Sequence, residues 1–285
     1  MRPVMSAAFD PVSYKEELKE LWSEKAELYH ERFASKKVGP FKSLEQLIAT
    51  ADPKEGERVL DVGTGTGIVA LEAAKRVGSS GRVVGIDLAP GPLAIARRVA
   101  AGNNMEFLEM DAEDLKFPDG SFDVVLSEFA FMFFPDSQKA LGEMKRVLRK
   151  NERIALSVHG SADDVPYFSV IMSTVIRYVP DIIPPGRPGP HRFGEPELLR
   201  TEFERCGFSS IDVAGYTYQY DAGSFEEYWE EYMQSMAASM RSKLNSLSPE
   251  LHAKMKEECR RKAGRFMKDE KIVFPWQVLI ASARA

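Results

Sequence analysis

The chain has 285 residues, 44% of them hydrophobic and 28% charged, with a net charge of -5. This is ordinary globular composition, sufficient to bury a core without disulfides or a metal, and the negative balance excludes nucleic-acid binding through overall charge. Cys206 and Cys259 match no metal or redox spacing, no apolar run approaches the ~20 residues that span a bilayer, and Met1 to Asp10 lacks a signal-peptide core, so a cytoplasmic protein is expected.

Residues 13 to 35 read as an amphipathic helix, with Leu18, Leu21, Trp22, Leu28, Tyr29 and Phe33 near helical spacing. A short helix is predicted from Phe41 to Ala51. From Arg58 the pattern becomes strand, turn, helix, repeated. Strands are expected at Arg58 to Val62, Arg82 to Leu88, Met105 to Met110, Phe122 to Ser127 and Arg153 to His159. Helices are expected at Ile68 to Val77, Pro90 to Ala101 and Asp136 to Lys150. Such alternation implies right-handed βαβ units and a parallel sheet covered on both faces.

After His159 the alternation weakens. A helix is predicted from Val165 to Val179, a Pro/Gly loop from Pro180 to Pro190, and a helix from Glu195 to Cys206 closed by Gly207. A strand follows from Ser209 to Tyr220. One long helix is expected from Phe225 to Leu247, a basic helix from Leu251 to Lys268, and a closing strand from Ile272 to Ala283. The stripe Phe225, Tyr228, Trp229, Tyr232, Met233, Met236 and Met240 reads as core or as the lining of a lid. The basic segment, with Lys254, Lys256, Arg260, Arg261, Lys262, Arg265 and Lys268, reads as a solvated face, with an acidic acceptor or a peripheral membrane contact as the alternatives.

The chemistry is concentrated in Val59-Leu60-Asp61-Val62-Gly63-Thr64-Gly65-Thr66-Gly67, which leaves a strand and enters a helix. Alternating glycines let the backbone turn tightly and approach a ligand, and the following helix presents free N–H groups. Taken alone this turn also fits a dinucleotide pattern, with Gly65, Gly67 and Ala70 as G-x-G-x-x-A. Asp87 ends the second strand, where a carboxylate can accept from both ribose hydroxyls. Asp111 ends the third, where one can accept from an adenine amino group. Asp61, just before the glycines, suits the cationic groups of a zwitterionic sulfonium better than a pyrophosphate.

These segments, with Val83 to Leu88, Met110 to Leu115, Phe117 to Val125, Phe131 to Asp136 and Met144 to Arg149, resemble the class I S-adenosylmethionine-dependent methyltransferases, in the broad group of the ubiquinone/menaquinone-biosynthesis enzymes. The resemblance is close over about residues 58 to 160. It implies a doubly wound, mostly parallel seven-stranded α/β sheet, Rossmann-like, with an antiparallel last strand. It implies an N-terminal helical cap (1–57), a cofactor-binding core (58–160) and a remainder of the same domain (161–285) carrying helical lid segments at 161–195 and 221–270. The cofactor is then S-adenosyl-L-methionine, released as S-adenosyl-L-homocysteine. Tyr29, Asp61, Gly63, Thr64, Gly65, Gly67, Asp87, Leu88, Asp111, Ala112 and Ser127 are expected around it.

If the acceptor must lose a proton, the candidate general bases are His159, at the end of the fifth strand, where many relatives carry Trp, then His191, Tyr167 and Glu128. Glu128, Phe129, Tyr167 and His191 are the candidate acceptor-side residues. Phe133 and Phe134 are expected only to pack the next helix. No metal is expected. The partner is a small-molecule methyl acceptor, hydrophobic or aromatic, and the chain is expected to be a monomer or homodimer that binds no nucleic acid. An NAD-dependent oxidoreductase would share the glycine turn and Asp87 but leaves Asp61 and Asp111 without a role. A non-catalytic scaffold would usually erode the turn. Transfer of a different group from a modified cofactor is a narrower alternative.

Overall fold

The computed structural model describes residues 9–35, 38–100 and 104–285. Helix α1 (Pro11–Tyr29) starts where the Asp10 carboxylate accepts from the backbone N–H groups of Val12 and Ser13. It runs into a π turn over His30–Ala34, within the expected N-terminal helix. Helix α2 (Leu44–Ala51) follows a short 3-10 turn. The βαβ alternation then reads β1 (Arg58–Val62), α3 (Ile68–Val77), β2 (Arg82–Asp87), α4 (Pro90–Val99), β3 (Met105–Glu109), β4 (Phe122–Glu128), α5 (Ser137–Val147) and β5 (Leu148–His159). Beyond it come α6 (Pro166–Tyr178), α7 (Pro196–Arg205), β6 (Ser209–Asp221), α8 (Phe225–Ser235), α9 (Ala238–Asn245), α10 (Pro249–Ala263), β7 (Met267–Lys268) and β8 (Lys271–Arg284).

The strand order across the sheet is β3-β2-β1-β4-β5-β8-β6, with the two-residue β7 paired to β8 alone. Strands β1 to β5 are parallel, and β8 runs antiparallel between β5 and β6. Every residue of β4 is buried, as a central parallel strand covered on both faces requires. The chain direction across the sheet reverses between β1 and β4. That reversal opens a crevice at the carboxyl ends of these strands, the usual ligand position in an open α/β sheet. Among the described residues no helix is long and apolar enough to cross a membrane.

The structure departs from the sequence reading in the C-terminal third. The expected helix from Phe225 to Leu247 is two helices, broken at Met236 and Ala237, which adopt extended backbone and are buried. The basic helix stops at Ala263 because Met267 and Lys268 pair with β8. Its cations are partly spent on internal ties: Arg260 pairs with Glu226 at 2.6 Å and lies 4.4 Å over the Phe225 ring, and Lys262 donates to Thr174. The helix expected to reach Lys150 ends at Val147, where Leu148 enters β5 beside Phe122.

Candidate functional site

The glycine turn leaves β1 at the crevice. The backbone N–H groups of Gly63 and Thr64 both donate to the Ile86 carbonyl at 2.8 Å, and that of Gly65 donates to the Asp87 carboxylate at 2.9 Å. Asp87 thereby pins the turn to the end of β2 while its other oxygen accepts from Ala89 N–H. Asp87 also lines the cleft that opens here. Gly63 and Gly65 both hold left-handed backbone. A Cβ on Gly63 would collide with the Ala130 methyl, whereas a Cβ on Gly65 meets nothing within 4 Å.

This first cleft encloses about 140 Å³ between the strand ends and α1. Gly63, Gly65, Asp87, Leu88, Asp111 and Ala112 all line it, as do Tyr29 and Glu128. Asp61, Thr64, Gly67 and Ser127 lie behind the wall rather than on it. Asp61 is fully buried. One of its oxygens accepts from the Thr64 hydroxyl at 2.6 Å and the other has no hydrogen-bond partner. Burial pushes its pKa up to about 7. Burial, with Glu128 and Asp87 nearby, pushes the Tyr29 phenol up, so it keeps its proton.

Asp111 is already engaged. Its Oδ2 takes the Lys15 ammonium at 2.7 Å, and Lys15 also pairs with Glu113 at 2.6 Å. Helix α1 thus crosses the cleft and is tied to its far side. Arg98–Glu27 at 2.6 Å and Lys19–Glu109 add to that attachment.

A second, larger cavity of about 480 Å³ adjoins the first and shares Leu18, Trp22, Tyr29, Phe129 and Phe133 with it. Its surface is mostly apolar: aromatic rings follow one another from Trp22 to Tyr29 (5.3 Å between centroids), Phe41 (5.6 Å) and Phe129 (5.6 Å). Phe129 then stacks on the His159 ring at 4.5 Å. Phe129 has φ +53°, a left-handed conformation that a bulky residue adopts only where its surroundings impose it.

His159, Tyr167 and His191 stand on this cavity. His159 Nδ1 accepts from the Trp276 indole N–H at 3.0 Å, and burial lowers its pKa to about 3. A nitrogen that accepts in this way leaves the ring proton on Nε2, so the expectation that His159 serves as general base gives way to a neutral ring with an N–H to donate. His191 Nδ1 donates to the Gly160 carbonyl at 2.8 Å. Tyr167 donates to Glu231 at 2.6 Å, as does Tyr220 at 2.7 Å, and Arg32 from the π turn pairs with the same carboxylate.

Phe133, expected only to pack a helix, lines both spaces, and Phe134 lines the smaller. The Phe225 to Met240 stripe divides: Tyr232, Met236 and Met240 line the larger cavity, while Phe225, Tyr228 and Trp229 pack into the core. Sequence reasoning missed Lys15, Arg32, Phe168, Glu231 and Trp276. Only Glu231 carried a signal, as an acid beside Tyr228, Trp229 and Tyr232 on a face otherwise apolar.

Residues 60–156 match the family model described as a methyltransferase domain. The chain is 38% identical over 169 residues to the demethylmenaquinone methyltransferase of Thermus thermophilus, covering 55% of this chain and 76% of that one. It is 41% identical over 115 residues to the aklanonic acid methyltransferase DauC of a Streptomyces species, covering 39% of this chain and about half, 52%, of that protein. The phosphoethanolamine N-methyltransferase 2 of Haemonchus contortus, solved with phosphomonomethylethanolamine and S-adenosylhomocysteine, superposes with a TM-score of 0.53 at 20% identity, over 85% of this chain and 52% of that one. The fold is therefore the Rossmann-like methyltransferase fold, and by its identity across three quarters of the Thermus enzyme the chain belongs to the class I methyltransferases, whose methyl donor is S-adenosylmethionine.

Proposed function

We propose that the chain methylates a small hydrophobic or aromatic molecule seated in the larger cavity, using S-adenosylmethionine held in the smaller cleft. The observation that carries this reading is the shared wall. Two adjoining spaces, a smaller one that carries the acids and glycine backbone of the strand ends and a larger, mostly apolar one, meet at Leu18, Trp22, Tyr29, Phe129 and Phe133.

The residues present fit the cofactor. Asp61 has a buried carboxylate oxygen with no partner, which suits a nearby ammonium. The open side of Gly65 lets a ligand reach the backbone. Asp87 lines the cleft with a carboxylate that would accept from a diol, and Asp111 would receive the adenine amino group with Lys15 sharing the carboxylate. When bound, the cofactor supplies a methyl group on a positively charged sulfur, already activated for displacement. What falls to the protein is alignment and the exclusion of water. Helix α1 lines both spaces through Leu18, Trp22 and Tyr29, while Phe129 and Phe133 set the apolar boundary across which donor and acceptor would meet. A cavity of about 480 Å³ lies within the usual ~300–1,000 Å³ of small-ligand sites.

The test is production of S-adenosylhomocysteine with quinols, phenols and naphthols against small polar amines and alcohols. Turnover of the aromatic set is expected; preference for the polar set would contradict the reading. No observation favours an oxidoreductase or a non-catalytic scaffold.

A further inference from the structure

The wall of the larger cavity carries an unmatched positive charge. Lys25, Arg32, Arg187 and Arg192 stand on it against a single carboxylate, that of Glu231. Three of these cations are paired: Arg32 with Glu231, Arg187 with Glu17 at 2.7 Å, and Lys25 with Glu24 at 2.6 Å. Arg192 is the exception. Among the described residues it pairs with no carboxylate, and its guanidinium donates to the Phe134 carbonyl at 2.6 Å and the Ser137 hydroxyl at 3.1 Å.

The acids around Arg192 are committed elsewhere. Glu202 takes the Ser137 hydroxyl and the Gln138 amide, both at 2.8 Å, so it meets Arg192 only through Ser137. Asp136 caps α5 by accepting from the Lys139 N–H at 2.9 Å, and Glu113 pairs with Lys15 at 2.6 Å. Burial pulls the Arg192 pKa below its ordinary value, which these acids offset only in part. A guanidinium keeps its proton regardless. The chain therefore holds a half-buried charge on a mostly apolar cavity with no counter-charge touching it, and an anion brought by a ligand would supply one. The fork is also held in place. It lies over the Phe193 ring at 4.9 Å, and its two hydrogen bonds occupy two of its five N–H groups. The bond to Phe134 ties it to the segment in which Phe133 borders both spaces.

Resting on the methyl-transfer reading, we infer that the acceptor is an aromatic acid whose carboxylate is received by Arg192 while its apolar body occupies the space lined by Phe129, Phe133 and Phe168. One unmatched cation calls for one negative charge, which fits a carboxylate better than the dianion of a phosphate monoester. Arg192 then selects the charged acceptor and fixes its register against Phe133.

The test begins with calorimetric titration at neutral pH of 2-naphthoate, its neutral counterpart 2-naphthamide, and 2-naphthyl phosphate. The proteins are the wild type, Arg192→Gln, Arg192→Lys and Arg187→Gln. The wild type should bind 2-naphthoate at least about tenfold more tightly than the amide, the order of a charge-assisted hydrogen bond. Arg192→Gln, which can keep an amide N–H toward the Phe134 carbonyl, should bring that ratio to about one. Arg192→Lys, which keeps the charge without the fork, should fall between. Arg187→Gln should keep the ratio, because Glu17 already matches Arg187. Release of S-adenosylhomocysteine is then compared for 6-hydroxy-2-naphthoate and 2-naphthol. The acid should show the higher kcat/KM in the wild type, mainly through KM, and lose that advantage in Arg192→Gln. Titration with S-adenosylhomocysteine shows that the variants are folded, and failure of the wild type to bind it would sink the methyl-transfer reading. The naphthoate titration needs no cofactor and tests the anion site either way. An acid bound no better than the amide, preference for the phosphate, faster methylation of 2-naphthol than of the acid, or a ratio that survives in Arg192→Gln and collapses in Arg187→Gln would each overturn the inference.

Discussion

Gly63 and Gly65 stand two residues apart in one turn, yet alanine at each should fail in a different way. Both hold left-handed backbone, with φ +72° and +53°, a conformation that costs an L-residue roughly 1–2 kcal/mol. At Gly65 nothing lies within 4 Å of the added methyl, so strain is the whole cost, partly offset by the lower entropy of the unfolded chain, about 0.4–1 kcal/mol. The net is about 1 kcal/mol. At Gly63 the methyl would enter the space of the Ala130 side chain just past the end of β4, adding the roughly 1–3 kcal/mol of an overpacked core. Less the same unfolded-state offset, the sum is roughly 1–4.5 kcal/mol, a large part of the stability of an ordinary domain. Thermal unfolding should show Gly65→Ala lower by only a few degrees and Gly63→Ala by roughly 5–15 °C. Calorimetry with S-adenosylhomocysteine should show the reverse emphasis: Gly65→Ala folds but binds at least about tenfold more weakly, because its methyl stands in the cleft. Equal destabilisation of the two variants, or wild-type affinity in Gly65→Ala, would refute the assignment of that open side to the cofactor.

Asp61 should couple cofactor binding to pH. Its folded pKa, raised to about 7, means that the unliganded protein loses stability as pH rises from about 4 to 7, and that Asp61→Asn regains up to about 4 kcal/mol at pH 8 while losing the cofactor. Because a cationic ligand favours the ionised carboxylate, wild-type affinity should increase from pH 6 to 8 with proton release. Calorimetry in buffers of different ionisation enthalpy measures that release, and its absence would remove Asp61 from the site. His159 works with the opposite sign. Its folded pKa, lowered to about 3, gives stability that is complete above about pH 6.5 and is lost as pH falls, by about 2 kcal/mol at pH 5. His159→Gln can still accept from Trp276, so its melting temperature should fall less between pH 7 and pH 5 than that of the wild type. An equal fall would show that the imidazole does not titrate as described.

The βαβ core was legible because buried parallel strands read as apolar runs ended by glycine or acid, and Asp87 and Asp111 fall at those ends by register alone. The larger cavity was much less legible. The break between α8 and α9 carries neither Pro nor Gly; Met236 and Ala237 leave the helix through packing against the cavity, which no local propensity announces. The grip of Lys15 on Asp111 joins residues 96 positions apart, and that of Arg32 on Glu231 joins α8 to a π turn at the other end of the chain. His159 was found by its place at a strand end. Its protonation could not be, because the Trp276 indole that dictates it arrives from β8. Phe133 looked like packing because the sequence shows its neighbours in the chain and not the second space that opens beside it.

The most direct measurement is calorimetric titration of the wild type and Asp87→Ala with S-adenosylmethionine, S-adenosylhomocysteine and NADH. Saturable binding of the two adenosyl compounds is expected, lost in the variant because Asp87 both lines the cleft and pins the Gly65 backbone, with no binding of NADH. Binding of NADH in place of the adenosyl compounds, or adenosyl binding indifferent to Asp87, would contradict a methyl-donor site at the end of β2.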